Sequence, residues 1–347
     1  MKSLFDQTSV KNMELKNRFV RSATWEGLSD DDGHINKNIM DVYEDLCKGD
    51  IGLIITSYAY ITKDEKPNFG MLGIYDDSFI DEYSKLVKMV HSYGTKIIMQ
   101  IVYGGSNTSY DVGSRVIWGP SAIKHLKTGT LPKEMTKEEI KLLINYFTDA
   151  ALRCKEAGFD GIQIHGAHGY LLSQWLDPYH NRRTDEYGGS IENRARIIIE
   201  VYKAIREKVG EDYHISIKIN SSDFRDGGAN FEDCKYVLTE LDKLGINSAE
   251  ISGGDFRGFK GEAFFREYAE ELSDILSCPV ILVGGNRSAK NMNDILNNTN
   301  IEYFSMSRPL ICEPDLVSKF KNNIEYASKC IGCNQCYKNN KICALHE

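Results

Sequence analysis

The chain of 347 residues has no apolar run long enough to span a bilayer, and its N-terminus, MKSLFDQTSVKNMELKNR, lacks the apolar core of a signal peptide. It also lacks a cluster of Lys and Arg, and its formal net charge is −8. Proteins that bind nucleic acid usually present a basic patch. We therefore expect neither a membrane nor a nucleic acid as partner.

The nine cysteines are an odd number, and no export signal accompanies them. This combination indicates a reducing compartment, which we take to be the cytoplasm, and argues against a disulfide scaffold. Five cysteines lie scattered beside apolar residues and are typical of small core or near-surface hydrophobes: Cys47, Cys154, Cys234, Cys278 and Cys312. The other four lie within the last eighteen positions.

The first predicted strand is not followed by a G-x-G-x-x-G motif, which counts against a Rossmann domain. Short apolar runs instead alternate with amphipathic helical patterns eight times, which favours an α/β fold, a (β/α)8 TIM barrel. We predict that residues 1–328 form the barrel, with an N-terminal hairpin closing one end, and that 329–347 form a short Cys-rich tail. One predicted helix spans 136–157 and is capped by its first residue. The last predicted helix spans 313–327.

The most informative stretch is FDGIQIHGAHGY, at positions 159–170. Its apolar start predicts a buried strand that ends at His165, and a glycine-rich turn then leaves His168 and Tyr170 uncovered. Two adjacent imidazoles can donate hydrogen bonds to an oxygen that gains negative charge, and a phenol can supply a proton. The residues alone leave two alternatives open: loop histidines bound to backbone groups, or a zinc site, although the usual zinc spacing and its Glu are absent.

The longer string HGAHGYLLSQWLDPYHNRRTDEYGGSIENR resembles the old yellow enzyme (NADH:flavin oxidoreductase) family. The similarity is to the bacterial branch related to 2,4-dienoyl-CoA reductase and trimethylamine dehydrogenase, and it covers essentially residues 1–328. It implies FMN as cofactor and NAD(P)H as electron donor. It also implies that His165 and His168 bind the oxygen of an activated alkene or another anionic ligand, and that Tyr170 is the proton donor.

Barrel enzymes work at the C-terminal ends of their strands, and all eight predicted ends here carry polar or glycine residues. Lys218 alone could be a snorkelling lysine and Gly284-Gly285 only a turn, but together the strand ends favour cofactor binding. Glycine N–H groups and the Arg308 cation suit a phosphate, and the resemblance places Gln100 and Lys218 at the flavin's pyrimidine edge. The predicted cofactor-binding residues are Ser22, Ala23, Thr24, Tyr58, Gln100, Lys218, Gly284, Gly285, Ser307 and Arg308.

Two positions, Lys218 and Trp25, depart from the family pattern. Most relatives carry Arg at the position of Lys218; lysine keeps the charge but loses the planar fork, so a somewhat different reduction potential is expected. Trp25 stands where relatives commonly carry Thr or Cys. It is either an aromatic wall of the substrate pocket, which we favour, or a packing residue.

The resemblance implies a ping-pong cycle in which NAD(P)H and the substrate use one pocket in turn. The substrate, an alkene conjugated to a carbonyl, receives a hydride at its β-carbon, and Tyr170 protonates the α-carbon from the other side. We therefore predict an FMN-dependent ene-reductase that uses NAD(P)H.

The cysteine tail is the second motif, with Cys330, Cys333, Cys336 and Cys343 spaced like ligands of a [4Fe–4S] cluster or of zinc. The segment CIGCNQ resembles the cluster segment of dienoyl-CoA reductases and trimethylamine dehydrogenase. The last spacing is shorter than in that family, and we expect no FAD/NAD(P)H domain to follow. An iron–sulfur cluster, zinc and a metal-free relic all stay open.

Other functions also stay open. One is an amine dehydrogenase of the trimethylamine type, although amine oxidation needs no paired oxygen-binding histidines. Another is an electron-transfer protein that reaches a separate redox partner through its cysteine tail. A third is a flavin-free aldolase or isomerase with Lys218 as Schiff-base amine. The resemblance also implies that the chain can form a homo-oligomer.

Overall fold

A closed parallel sheet forms the centre of the computed structural model, which describes residues 1–254, 256–337 and 343–345. Its strands are β1 (Phe19–Arg21), β2 (Leu53–Ile55), β3 (Lys96–Val102), β4 (Gly161–Gly166), β5 (His214–Asn220), β6 (Ser248–Ser252), β7 (Val280–Val283) and β8 (Tyr303–Met306). Each strand pairs in parallel with the next, and β8 pairs with β1, which closes the barrel. The predicted TIM barrel is confirmed.

One main helix follows each strand: α1 (Lys37–Lys48), α2 (Ile80–Ser92), α3 (Lys137–Glu156), α4 (Ile191–Val209), α5 (Phe231–Lys243), α6 (Arg266–Ile275), α7 (Ala289–Asn298) and α8 (Leu316–Asn322). Shorter helices cover Asp77–Phe79, Leu171–Leu176, Arg308–Cys312 and Gln335–Tyr337. At the start of α3 the Thr136 hydroxyl accepts from the Glu139 N–H while the Glu139 carboxylate accepts from the Thr136 N–H, which confirms the predicted cap. Within the described ranges, no helix is long and apolar enough to cross a membrane.

The last predicted helix, 313–327, is wrong in its extent. A short helix, Arg308–Cys312, ends before Glu313, which is extended at φ −144° and ψ 89°. The cause is Pro314, which lacks an N–H and disfavours helical backbone in the preceding residue. The following helix, α8, ends at Asn322, and Ala327 forms an antiparallel bridge with Ser288 instead of a further helical turn.

An N-terminal hairpin closes part of the barrel, as predicted. Strands Thr8–Val10 and Met13–Leu15 pair antiparallel. Their apolar side chains pack with inward residues of β1, β2, β3, β7 and β8, which gives this cluster: Val10, Met13, Leu15, Val20, Leu53, Ile55, Ile98, Ile281 and Tyr303. This part of the barrel interior is therefore apolar.

Strands β4, β5 and β6 give the rest of the interior a polar character. Their isoleucines pack against the surrounding helices, so the alternate residues of each strand face inward. These alternate residues include Gln163, Ser216, Lys218, Ser248 and Glu250, all of them buried. The polar side of the barrel leads directly to the strand ends where the predicted site lies.

One buried histidine in this polar part leads to a prediction about how stability depends on pH. His214 begins β5, and its Nε2 lies 3.0 Å from Ser248 Oγ. Burial, and then the nearby Arg206 charge, lowers the pKa of His214 to about 3. Below the unfolded pKa of about 6.5, the unfolded chain takes up a proton that the native state does not take up. This histidine therefore removes about 1.4 kcal/mol of stability per pH unit as the pH falls from 6.5 towards 3.

The substitution His214→Gln should remove this contribution. We measure the free energy of unfolding in urea between pH 7.5 and 5. Below pH 6.5 we expect it to fall less steeply in the variant, by about 1.4 kcal/mol per pH unit. Above pH 7.5 the difference between the two proteins should not depend on pH. Equal slopes below pH 6.5 would contradict the prediction.

Candidate active site

Three predicted catalytic rings meet just beyond β4. The His165 and His168 ring centroids lie 5.2 Å apart with the ring planes at 87°, and the His165 and Tyr170 centroids lie 5.1 Å apart. His168 has a φ of +59°, a left-handed conformation that is uncommon outside glycine. Its N–H donates to Asn220 Oδ1 at 3.1 Å, which holds the turn. The structure thus brings the three residues together.

Both histidines are neutral hydrogen-bonding groups. The Ala167 N–H donates to His165 Nδ1 at 3.3 Å, so the neutral ring carries its proton on Nε2. His168 Nε2 lies 2.8 Å from Ser252 Oγ. Burial lowers the pKa of each histidine well below its ordinary value, and the Lys218 charge adds to this effect. Neutral imidazoles can donate to an oxygen without bringing a permanent charge.

Tyr170 retains its proton at neutral pH, because burial raises the pKa of its phenol. Its oxygen lies 3.3 Å from the Tyr58 oxygen. Asn68 Nδ2 donates to Tyr58 at 3.2 Å and to Tyr170 at 3.4 Å. Tyr58, which the sequence assigns to the cofactor, therefore contacts the proposed proton donor. Asn68 lies in a loop after β2, and no sequence signal points to it.

A cavity of about 470 Å³ opens beside these rings at the C-terminal ends of the strands. Eight of the predicted catalytic and cofactor-binding residues line it: Ser22, Ala23, His168, Lys218, Gly284, Gly285, Ser307 and Arg308. Two further predicted cofactor-binding residues lie outside this lining. Thr24 Oγ1 lies 2.8 Å from Ser307 Oγ, and the buried Gln100 Nε2 donates to Gln163 Oε1 at 2.7 Å.

The cavity fits a phosphate at one end. Gly284 and Gly285 have φ values of +107° and +77°, which favour glycine. A Cβ on Gly285 would lie 2.8 Å from the Gly261 carbonyl oxygen and from the Phe264 ring. The cationic side chain of Arg308 also lines the cavity. Backbone free of side-chain bulk beside a fixed positive charge is what an anionic group requires.

Lys218 supplies a second positive charge, deeper in the cavity. Its Nζ donates to Ser22 Oγ at 2.7 Å and lies 3.4 Å from Glu250 Oε1. Sequence reasoning missed Glu250 and Gln163 as members of the site. The available signal was a charged or amide side chain in the middle of an otherwise buried strand, in NSAEIS and in FDGIQIH.

Trp25 packs next to the tyrosines. Its Nε1 donates to the Phe69 carbonyl at 3.0 Å, and the two rings meet edge to face at 4.9 Å. Trp25 and Tyr170 both pack against a buried cluster that contains Tyr58 and Met71. Through its contacts with Phe69, Trp25 holds the loop that carries Asn68. That Trp25 forms a wall of the substrate pocket stays a prediction.

The long excursion at 104–134 contributes to the site. It contains two short strands, Trp118–Gly119 and Lys133–Glu134, which pair in parallel. Asn107 Nδ2 donates to the His168 carbonyl at 2.9 Å, and Thr128 Oγ1 donates to the Ser106 carbonyl at 2.8 Å. The excursion therefore supports the histidine turn from outside the barrel.

The C-terminal tail covers the end of the cavity that Gly285 and Arg308 line. Arg308 Nη1 donates to Asn334 Oδ1 at 2.7 Å, which ties the tail to the strand end. The Tyr337 ring lies 6.3 Å from that of Phe256, and the Arg257 guanidinium lies 5.3 Å from the Tyr337 centroid. These side chains also line the cavity, so the tail belongs structurally to the site.

The four predicted metal ligands, Cys330, Cys333, Cys336 and Cys343, line a second cavity of about 20 Å³, and Cys330 also lines the first. A cavity of this size has room for about one water molecule. In the parts of the chain that the structure describes, no group of three or more His, Cys, Asp or Glu side chains is arranged to hold a metal ion. Metal binding by the tail stays a prediction.

Cys312 joins the tail thiols, which the sequence did not indicate. It is buried, as expected of a core cysteine, but the Cys343 thiol lies close enough to influence it. Burial, and then the neighbouring Cys343 thiol, raises the pKa of the Cys312 thiol to about 12. The thiol is therefore protonated at neutral pH.

The fold and the site define a TIM-barrel enzyme with an anion cradle, a buried lysine and a His-His-Tyr cluster at its strand ends. Residues 3–327 match the NADH:flavin oxidoreductase / NADH oxidase family, and the chain belongs to that family. The predicted family is confirmed. FMN and NAD(P)H, the predicted cofactor and electron donor, are those of the family.

Two curated relatives illustrate the match. The chain is 34% identical to the NADH oxidase of Thermoanaerobacter brockii over 96% of its own length and 53% of that protein. It is 34% identical to the NADPH dehydrogenase of Clostridium acetobutylicum over 93% of its own length and 97% of that protein. The chain thus spans about half of the first relative and nearly all of the second.

Solved structures agree with the fold. A 2-naphthoyl-CoA reductase superposes with a TM-score of 0.89 at 26% identity, covering 96% of this chain and 54% of that chain. Morphinone reductase superposes with a TM-score of 0.80 at 25% identity, covering 94% and 91%.

Proposed function

We propose that the protein uses NAD(P)H and FMN to reduce C=C bonds conjugated to a carbonyl group. The observation that carries this proposal is the convergence of neutral His165, neutral His168 and protonated Tyr170 beside a cavity with a phosphate cradle and a buried lysine. Neutral donors bind a carbonyl oxygen that gains negative charge, and a protonated phenol completes the addition of hydrogen.

The residues of the cavity fit FMN. Gly284, Gly285 and Arg308 would hold the phosphate, and Lys218 would meet the electron-rich edge of the ring system. Bound FMN would supply hydride transfer from NAD(P)H to the alkene. Ser22 would keep the lysine in place, since its hydroxyl accepts the hydrogen bond from Nζ.

The roles of the catalytic residues follow from their protonation. His165 would donate through Nε2–H to the substrate carbonyl, and His168, whose ring lines the cavity, would approach the same oxygen. Tyr170 would deliver its proton to the α-carbon, and its hydroxyl contact with Tyr58 gives it a neighbour that can return a proton. We propose that donor and substrate occupy this space in turn, in a ping-pong cycle.

The name of one relative agrees with this substrate class. The cinnamate reductase of Clostridium sporogenes is 29% identical over 96% of this chain and 55% of that protein. Other relatives, such as the N,N-dimethylglycine/sarcosine dehydrogenase of Chromohalobacter salexigens, are named for amines. The donor character of the histidine pair favours a carbonyl-bearing substrate, since an amine nitrogen gains no negative charge on oxidation. A reducing compartment such as the cytoplasm suits the nine unpaired cysteines.

Separate measurement of the two half-reactions tests the proposal. Protein loaded with FMN is mixed anaerobically with NADH or NADPH, and loss of flavin absorbance reports the first step. The reduced protein is then mixed with an aryl-conjugated enal or with its saturated analogue, and oxidised protein is mixed separately with N,N-dimethylglycine. We expect only the enal to restore the absorbance, with a saturated product, and the amine to leave oxidised FMN unreduced.

Two results would contradict the proposal. One is failure to bind FMN after reconstitution. The other is reduction of oxidised FMN by the amine combined with no reaction of the enal, which would assign the protein to amine oxidation. Iron and zinc analysis of the same anaerobic sample decides the state of the cysteine tail, independently of alkene reduction.

A further inference from the structure

A polar layer crosses the barrel at the depth of Lys218. It contains side chains from β3, β4, β5, β6, β8 and the segment after β1: Gln100, Gln163, Lys218, Glu250, Ser305 and Ser22. All six are buried, and Glu250 is 0% exposed. Interiors of TIM barrels are usually filled with branched apolar side chains. A buried carboxylate costs several kcal/mol unless hydrogen bonds and an opposite charge offset that cost, so its presence requires a physical explanation.

Four groups converge on the Glu250 carboxylate. Its Oε1 accepts from Ser22 Oγ at 2.7 Å and from Ser305 Oγ at 2.8 Å, and lies 3.4 Å from Lys218 Nζ. Its Oε2 accepts from Gln163 Nε2 at 3.0 Å. The Ser22 hydroxyl also accepts from Lys218 Nζ at 2.7 Å. The carboxylate therefore holds both the ammonium group and the hydroxyl that positions it.

The strand register makes this pairing unavoidable. Lys218 of β5 lies directly opposite Glu250 of β6, and both side chains face the barrel interior. Lys218 and Ser22 line the cavity, and Glu250 contacts both of them from within the barrel. The charge that the cavity receives from the lysine is thus partly offset by a carboxylate behind it.

We propose that Glu250 is a positioning residue that, through Lys218, sets the reduction potential of bound FMN. The inference rests on the proposed function, because it requires FMN in the cavity with its pyrimidine edge near Lys218. Reduction adds negative charge at that edge, and a lysine without its carboxylate would stabilise the added charge more strongly. Glu250 therefore lowers the potential and favours hydride donation to the alkene.

The substitution Glu250→Gln tests this inference, since the amide keeps the shape of the carboxylate and removes its charge. We expect the preference for reduced over oxidised FMN to rise about tenfold, which corresponds to an increase of about 30 mV in the two-electron potential. The potential is measured by equilibrating the FMN-loaded protein with a reference dye during slow anaerobic reduction. Urea unfolding of the same sample reports stability separately.

The matched control is Asp233→Asn, which neutralises another buried carboxylate. Asp233 pairs with Arg194 between the outer helices α5 and α4. A merely structural effect of losing a buried ion pair would appear in both variants as lower stability. The preference of the control for reduced FMN should change less than twofold.

An unchanged potential in folded, FMN-loaded Glu250→Gln would overturn the inference. If this variant does not fold, Glu250→Asp keeps the charge but withdraws it from Lys218 by one methylene, and we expect about a threefold shift in the same direction. A shift no larger than that of the control would again overturn the inference. Failure of the proposed function is distinguishable, because the unsubstituted protein would then not bind FMN or not reduce the enal.

Discussion

Replacing Tyr170 with Phe is expected to slow the alkene half-reaction about 10²- to 10⁴-fold, while reduction by NAD(P)H changes less than twofold. The reason is that burial raises the pKa of the phenol, so that the proton is present at neutral pH but leaves only to a strongly basic carbon. The hydride from NAD(P)H needs no such proton donor. Stopped-flow absorbance of the flavin measures both steps on the same protein.

Tyr58→Phe is the control for this experiment. Its phenol oxygen lies 3.3 Å from that of Tyr170, and both accept from Asn68, so the two variants lose one hydroxyl each from the same cluster. We expect less than a tenfold effect on the alkene step, since Tyr58 contacts the donor and does not replace it. A larger effect in Tyr58→Phe than in Tyr170→Phe would make Tyr58 the proton donor.

Substituting Gly285 with Ala is expected to weaken FMN binding about 5- to 150-fold. At φ +77° a Cβ is strained, and it would lie 2.8 Å from the Gly261 carbonyl oxygen and the Phe264 ring. Strain of this kind costs about 1–3 kcal/mol, and its relief moves the backbone N–H groups away from the phosphate. Quenching of FMN fluorescence on titration with the apoprotein gives the dissociation constant.

Gly113→Ala is the matched control, because a Cβ there has no neighbour within 4 Å. It should change the dissociation constant of FMN less than twofold. A normal affinity in Gly285→Ala, with both proteins folded, would place the phosphate elsewhere. Loss of affinity in both variants would indicate a general effect on folding and not a specific cradle.

Much of the architecture could be predicted because its signals are local. Alternating apolar and amphipathic segments predicted the eight strands and their helices, and the cap at Thr136 predicted the start of α3. The region after β8 was harder. A proline beside Glu313 interrupts the helix there. Apolar periodicity assessed over many residues does not reveal an interruption at one residue.

The contacts of the site also include some that the sequence predicted and some that it could not predict. The residues of the His165–Tyr170 motif lie close along the chain, so their spacing predicted that they would meet. The contact between Tyr58 and Tyr170 was not predictable, because the two residues are 112 positions apart. The influence of the Cys343 thiol on Cys312 depends likewise on how the tail returns to the barrel.

The sequence by itself determined the barrel, the family and the local His-His-Tyr motif, because periodicity and motif spacing are properties of neighbouring residues. Only the tertiary structure decided what faces Lys218. Ser22 and Glu250 lie 228 positions apart, and closure of the sheet brings them within 2.7 Å. A period of two shows which residues share a face of a strand, but not which side chains meet across a closed barrel. The electrostatics of the cofactor cavity are therefore a property of barrel closure.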